Sequence, residues 1–187
     1  MAASRGDTHC NFVRDWKVED TDTVLLRLKA WFPGCDISEA IKWEYETENL
    51  DAQYRCDRCG QRGSSTRSWR FARLAPCLLI SIDRIQFCFG MQVPEKRVGR
   101  VRLPEMLPLE TSHARVRYGL VAAACHMGPR ANEGHWVTWR RGHTVNEYSM
   151  PWAIDDDARR RAPVPSDKLE EQVAIAVYCC EAPVSYT

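Results

Sequence analysis

Two groups of side chains in this sequence have the types and spacing that chemistry uses. The first is Gly134-His135-Trp136, followed downstream by the acidic triplet Asp155-Asp156-Asp157. An imidazole can take the proton of a thiol, and a carboxylate can hold that imidazole in the right tautomer, as in Cys–His–Asp catalysis. A glycine before the histidine lets a ligand backbone approach closely. The second group is Cys56-Asp57-Arg58-Cys59. Two thiolates at this spacing can point at one zinc ion, but a closed structural site takes four ligands. No second pair of this spacing exists in the chain, and Cys10, with Asp7 and His9 beside it, is the candidate for completing the site. Each group also has a plainer reading. The triplet reads as a solvated turn, and the cysteine pair as a metal-free turn at a hairpin end.

The elements that must position these groups are mostly strands. Residues 24–32 alternate apolar and polar side chains, as a half-buried strand does, and Pro33-Gly34 ends the run. Residues 36–45 read as a short helix, capped by Asp36 or Ser38, with Glu39 in the first turn and Ile37 and Ile41 on an apolar face. Strands are predicted over 68–74 and 77–85, which Pro76 separates, and over 98–103, 116–126, 135–141, 145–148, 152–154 and 173–180. A short helix is predicted at 167–171, and residues 1–20 read as a loop or ragged terminus. The sum is an α+β fold with an antiparallel sheet core and few helices.

Composition narrows the class. A formal net charge of +1 argues against a dedicated nucleic-acid binder and against a polybasic membrane anchor. The basic run Arg159–Arg161 reads as a solvated face. The start of the chain lacks the apolar stretch of a secretory signal, and the longest apolar run, 74–82, is too short to cross a bilayer. An intracellular protein, cytoplasmic or nuclear, is expected. Its nine cysteines, an odd number, would then be thiols or metal ligands rather than disulfides.

Taken in order, several stretches resemble the ubiquitin-specific protease family of papain-like cysteine proteases. Asp36-Ile-Ser-Glu-Ala-Ile and Glu48-Asn-Leu-Asp-Ala-Gln-Tyr-Arg-Cys-Asp-Arg-Cys-Gly are similar to the helix that leads into the cysteine pair of the family's fingers. Leu74-Ala-Pro-Cys-Leu-Leu-Ile-Ser-Ile-Asp-Arg-Ile resembles its "LP-x-x-L-x-x-x-L-x-R-F" strand, and Lys96 with Val101-Arg-Leu-Pro fits the "K … v-x-f-P" element after it. Tyr118 through His126-Met-Gly128, then Gly134-His135-Trp136, resembles the His box. Trp152-Ala-Ile-Asp155-Asp156-Asp157 resembles "W-x-x-F-[DN]-D", and Val173–Tyr178 the closing strand.

The resemblance implies a mostly antiparallel β palm and fingers. It divides the chain into a ragged segment, 1–22, a partial protease domain, 23–180, and a tail, 181–187. It makes His135 the general base, Asp155 the residue that orients it and Asp156 a second acidic position. Gly134, Trp136 and His126 would shape the substrate site. Cys56, Cys59 and Cys10 would hold any structural zinc, and no cofactor is required for the chemistry. The partner implied is ubiquitin or a ubiquitinated protein. Departures are equally specific. Nothing resembles the family's Cys box, "G-L-x-N-x-G-N-T-C-Y", and the helical thumb that carries it is missing. Trp136 replaces a usual Tyr, Ile85 a usual Phe, and one residue fewer separates Trp152 from Asp155. The chain is therefore expected to be inactive alone. It would be completed by a separate N-terminal half, or would act as a pseudo-protease that binds without cutting.

Overall fold

The structure is a computed structural model that describes residues 2–7, 12–18, 25–29, 31–45, 48–50, 52–56, 58–63, 65–86, 94–111, 114–141, 153–155 and 166–180. Its spine is β10 (Arg115–Met127), a strand of 13 residues. Three strands pair with it antiparallel: β9 (Met106–Glu110), β11 (His135–Arg140) and β13 (Val173–Cys180). Beyond β11 lies β12 (Ala153–Asp155), and beyond β13 lie β6 (Cys77–Ile82) and then β3 (Leu25–Leu28). The β3–β6 pair is parallel, and the other pairs of this seven-stranded sheet are antiparallel. A second sheet has the order β2 (Phe12–Val18), β1 (Ala2–Asp7), β5 (Ser65–Arg70), β4 (Glu48–Asn49). A small ribbon joins β7 (Ile85–Gln86) to β8 (Glu95–Lys96).

One face of the large sheet makes the core. Leu26, Leu28, Leu78, Ile80, Tyr118, Val173, Ala176 and Tyr178 are buried there. Helix α1 (Ile37–Glu44) covers part of it with Ile37, Ala40 and Ile41. Asp36 is its cap. Its carboxylate accepts from the Ser38 backbone N–H at 2.7 Å, while the Glu39 carboxylate accepts from the Asp36 N–H at 2.8 Å, a reciprocal capping box. Helix α2 (Ser166–Gln172) packs against β10, where the Cys125 thiol donates to the Leu169 carbonyl at 3.7 Å. Buried tyrosine hydroxyls find carbonyls: Tyr118 donates to Ala75 and Tyr178 to Pro104. No helix among the described residues is long and apolar enough to cross a membrane.

Four expectations need correction. Residues 2–7 and 12–18, expected to be loop or ragged terminus, form a hairpin, because β5 offers β1 a full backbone ladder that local sequence cannot reveal. Residues 98–103 are not a strand. Val101 and Leu103 are buried in alternation, but their N–H groups bond to the Glu170 carbonyl and carboxylate, and only Arg102 bridges to Asp36. The strand β9 was not among the expected strands; it contains Pro108, which its position beside β10 tolerates. Cys77 and Cys179, opposite each other on β6 and β13, are joined as a disulfide rather than standing as thiols. The strand expected at 145–148 lies outside the described residues.

Glu170 is buried, and its carboxylate accepts from Arg100 Nε at 2.5 Å and from the Leu103 N–H at 3.0 Å. Replacing it with Ala strands that buried N–H, which costs about 1–3 kcal/mol. Urea denaturation of Glu170→Ala should show a lower midpoint with an unchanged m-value. An unchanged midpoint would mean that solvent replaces the carboxylate.

Candidate functional site

The turn between β10 and β11 delivers His135. Gly128 has φ +129 and Gly134 φ +156, both disfavoured for residues with a Cβ. A Cβ on Gly134 would lie 2.6 Å from His126 Nε2 and closer still to the Met127 carbonyl oxygen, so a side chain there would have to displace the His126 ring. His135 itself pairs with Met127 in the ladder and is exposed at the very start of β11. Next to it, the Trp136 and His126 rings face each other at 5.0 Å and 45°.

A lysine anchors this turn from behind. Lys96, on β8, is buried, and its ammonium donates to the His126 and Gly128 carbonyls at 2.5 Å each and to Gln172 Oε1 at 2.9 Å. All three ammonium protons thus have acceptors. Arg84 does the same nearby. Its guanidinium donates to the carbonyls of Val173, Glu170, Gly99 and Arg97 and stacks over the Trp31 ring at 4.8 Å. Burial lowers the Arg84 pKa to about 10. Burial and the Arg84 charge lower that of Lys96.

A cavity of about 220 Å³ opens beside these groups, lined by Arg27, Asp83, Arg84, Lys96, His126 and Trp136 among others. Ile85, Ala174 and Ile175 supply apolar wall. Gly134 and His135 are not in its lining but adjoin it through His126 and Trp136.

The remaining expected site residues are less gathered. In the β11–β12 ladder Asp155 is opposite Thr138 and Ile154 opposite Trp139. Asp156, Trp152 and Cys10 lie outside the described residues. Cys56 is buried and Cys59 exposed in a tight turn, where the Gly60 N–H bonds to the Cys56 carbonyl and the Cys56 N–H to the Gln61 carbonyl. Arg55 and Arg58 line an open cavity at this pair. Among the described residues no group of three or more His, Cys, Asp or Glu could hold a metal. The described donors, Cys56 and Cys59, thus make half of a closed zinc site.

No described thiol is set up as a nucleophile for His135. Cys125, one strand away, is buried, with its pKa pushed up to about 12, chiefly by desolvation. Burial also raises that of Cys35. Buried thiols of this kind are inert. Sequence reasoning placed His126, Gly134, His135 and Trp136 but assigned no role to Lys96 or Arg84. The available signal was a pair of cations, Arg84 and Lys96, each next to an apolar or strand-forming stretch.

The fold is a papain-like α+β scaffold, rich in strands and with few helices. The profile of the family described as "Ubiquitin carboxyl-terminal hydrolase" matches residues 36–178, and the chain belongs to that family. It is 27% identical over 147 residues to Ubiquitin carboxyl-terminal hydrolase 26 of Arabidopsis thaliana, covering 75% of this chain and 13% of the relative. It is 27% identical over 158 residues to Ubiquitin carboxyl-terminal hydrolase 46 of Caenorhabditis elegans, covering 81% and 35%. Among solved structures it resembles a chain of the yeast SAGA DUB module with a TM-score of 0.75 at 16% identity. It resembles a chain of the SAGA Ubp8/Sgf11/Sus1/Sgf73 DUB module bound to ubiquitin aldehyde with a TM-score of 0.74 at 15% identity. Each match covers 97% of this chain and 40% of the other. The chain therefore spans well under half the length of these relatives.

Burial holds the His126 pKa below the ordinary histidine value, and the Lys96 charge adds to the effect. In the unfolded chain the ring titrates near ~6.5. The unfolded state therefore takes up this proton first, and stability falls as pH drops through that value. Thermal denaturation at pH 7.5 and 5.5 should show a larger drop for the native chain than for His126→Gln. Equal drops would remove His126 as the sensor.

Proposed function

We propose that this chain is the fingers and palm, the C-terminal half, of a ubiquitin-specific protease domain. In this reading it carries the imidazole and carboxylate of a cysteine-type deubiquitinase but not the nucleophile. The observation that carries the reading is the exposed His135, set beside Gly134 at the mouth of the cavity that His126 and Trp136 edge. The solved relative bound to ubiquitin aldehyde supports ubiquitin as the ligand. Its extended tail would run beside His135, held by backbone hydrogen bonds.

In a complete protease of this class a thiolate attacks the isopeptide carbonyl. The histidine takes the thiol proton and later gives it to the leaving amine. Here His135 would be that base. Asp155 is the candidate to orient it, with Asp156 as a second acidic position. The buried thiols of Cys35 and Cys125 do not suit the nucleophile's role, and no cysteine in the sequence has the Cys-box setting. The nucleophile would come from a separate N-terminal half. The sheet face away from the core suits such a partner. Leu25, Leu79 and Val177 line up across β3, β6 and β13 on that face, and Leu25 (45%), Ile85 (39%) and Trp136 (56%) are exposed. Contiguous apolar surface of this kind marks an interface. A pseudo-protease that binds ubiquitin without cutting is the alternative, favoured if no such half exists.

The purified chain should not release fluorophore from a ubiquitin C-terminal fluorogenic substrate. Clear turnover abolished by His135→Ala would overturn this. Mixed with an N-terminal half bearing a Cys box, it should gain turnover. There Asp155→Ala should lower kcat by roughly 10²-fold or more. An unchanged kcat would remove Asp155 as the orienting residue.

A further inference from the structure

The Cys77–Cys179 disulfide takes no part in the chemistry proposed above. Cys77 opens β6, and Cys179 lies next to last in β13. The two strands set them directly opposite each other, with Cα atoms 4.2 Å apart. The backbone holds this juxtaposition by itself. The ladder runs on from the pair through Leu78–Tyr178 to Ser81–Ile175. Just outside it the Cys180 N–H donates to the Pro76 carbonyl at 2.7 Å, and the Tyr118 hydroxyl donates to the Ala75 carbonyl at 2.8 Å. Breaking the S–S bond thus leaves both sulfurs in place. Two thiols held side by side re-form the bond far faster than two that meet by diffusion.

Access to the pair is one-sided. Strand residues alternate between faces, so Cys77 and Cys179 fall with Leu79 and Val177 on the face away from the core, while Leu78 and Tyr178 turn inward. In the chain by itself that face is open: Cys77 is exposed and Cys179 half-buried. A small thiol therefore meets the Cys77 sulfur first. Cys180, next along the chain, packs against the core and is not placed to stand in for Cys179. Cys35 and Cys125 are buried elsewhere in that core.

We propose that Cys77–Cys179 is a reversible redox site of this chain, opened and closed by exchange with a small thiol of the glutathione class. A thiolate attacks the Cys77 sulfur, the S–S bond breaks, and its electron pair leaves on the Cys179 sulfur, which takes a proton from water. A second thiolate attacks the small-molecule sulfur of the mixed disulfide and releases Cys77. Two small thiols are thereby oxidised to one small disulfide, and the protein disulfide is reduced to two thiols. In reverse, Cys77 takes the adduct from the small disulfide and Cys179 displaces it. The closed link joins residues 102 apart that bracket every element from β7 to α2, His135 included, so the oxidised chain is the more stable of the two.

The test uses the full chain, equilibrated at graded ratios of reduced to oxidised glutathione, then acid-quenched, alkylated and read by peptide mass spectrometry. Cys77 and Cys179 should convert together between one cross-linked peptide pair and two alkylated thiols, and should return when the ratio is reversed. Near-UV circular dichroism should stay native at both ends. The oxidised form should melt roughly 5–15 °C above the reduced one. The double variant Cys77→Ser/Cys179→Ser should melt at one temperature whatever the ratio. Under oxidised glutathione, Cys179→Ser should hold an adduct at Cys77, and Cys77→Ser on the order of tenfold less at Cys179 in the same time. Thiols at 77 and 179 that stay alkylatable at every ratio overturn the proposal, as does a link that no ratio opens. Loss of the native near-UV signal on reduction, a link to Cys180, or equal adducts in the two single variants overturns it as well.

Discussion

The ammonium of Lys96 sits where three separate stretches of backbone arrive at the edge of the sheet. It draws together the end of β10, the start of the turn that follows and the last residue of α2 through three acceptors. Burying an ammonium is costly unless its protons are all used, and here they are. The arrangement works only if the strands lie in this register. A slip of β10 by one residue would move the His126 carbonyl out of reach and turn the His126 side chain to the other face. Arg84 repeats the device one layer deeper, where it holds the start of β13 and the end of α2 to the segment after β8. Two buried cations with carbonyl partners thus lock the sheet edge from which His135 emerges.

The position of His135 follows from this lock. The turn from Gly128 to Gly134 must double back tightly enough for Met127 and His135 to pair, and both glycines occupy conformations that suit glycine. Close packing of His126 against the Gly134 backbone keeps the turn narrow. It leaves Trp136 to stack on His126 and form one wall of the cavity. A rigid floor and an exposed imidazole at its rim are what a site needs in order to hold an extended peptide in one place. The same burial that stiffens the floor keeps Cys125 protonated, so the thiol one strand away serves packing rather than reaction.

The cysteine pair at the far end shows a contrasting economy of structure. Its turn is closed by backbone hydrogen bonds and by Arg55 donating to the Gly60 carbonyl at 3.0 Å. Its neighbours β1, β2, β4 and β5 form a separate small sheet.

Much of the large sheet was legible in the sequence. The alternation in Leu25–Leu28, the apolar run of Val173–Cys180 and the Asp36/Glu39 cap are local patterns, and the elements they make follow from side chains a few residues apart. Gly134, His135 and Trp136 stood out in the sequence as a Gly-His at the start of an alternating run, and the structure sets them at the turn into β11. What only the tertiary structure decided depends on groups distant along the chain. The hairpin of β1 and β2 exists because β5 completes its ladder, and residues 98–103 are held by Glu170 instead of by a strand. Lys96 became an anchor because carbonyls 30 and 32 residues away, and an amide 76 away, converge on one point. Periodicity records which side of an element faces inward. It carries no information about which distant carbonyls will meet a buried charge, because that depends on strand order and register, which are fixed only when the chain closes on itself.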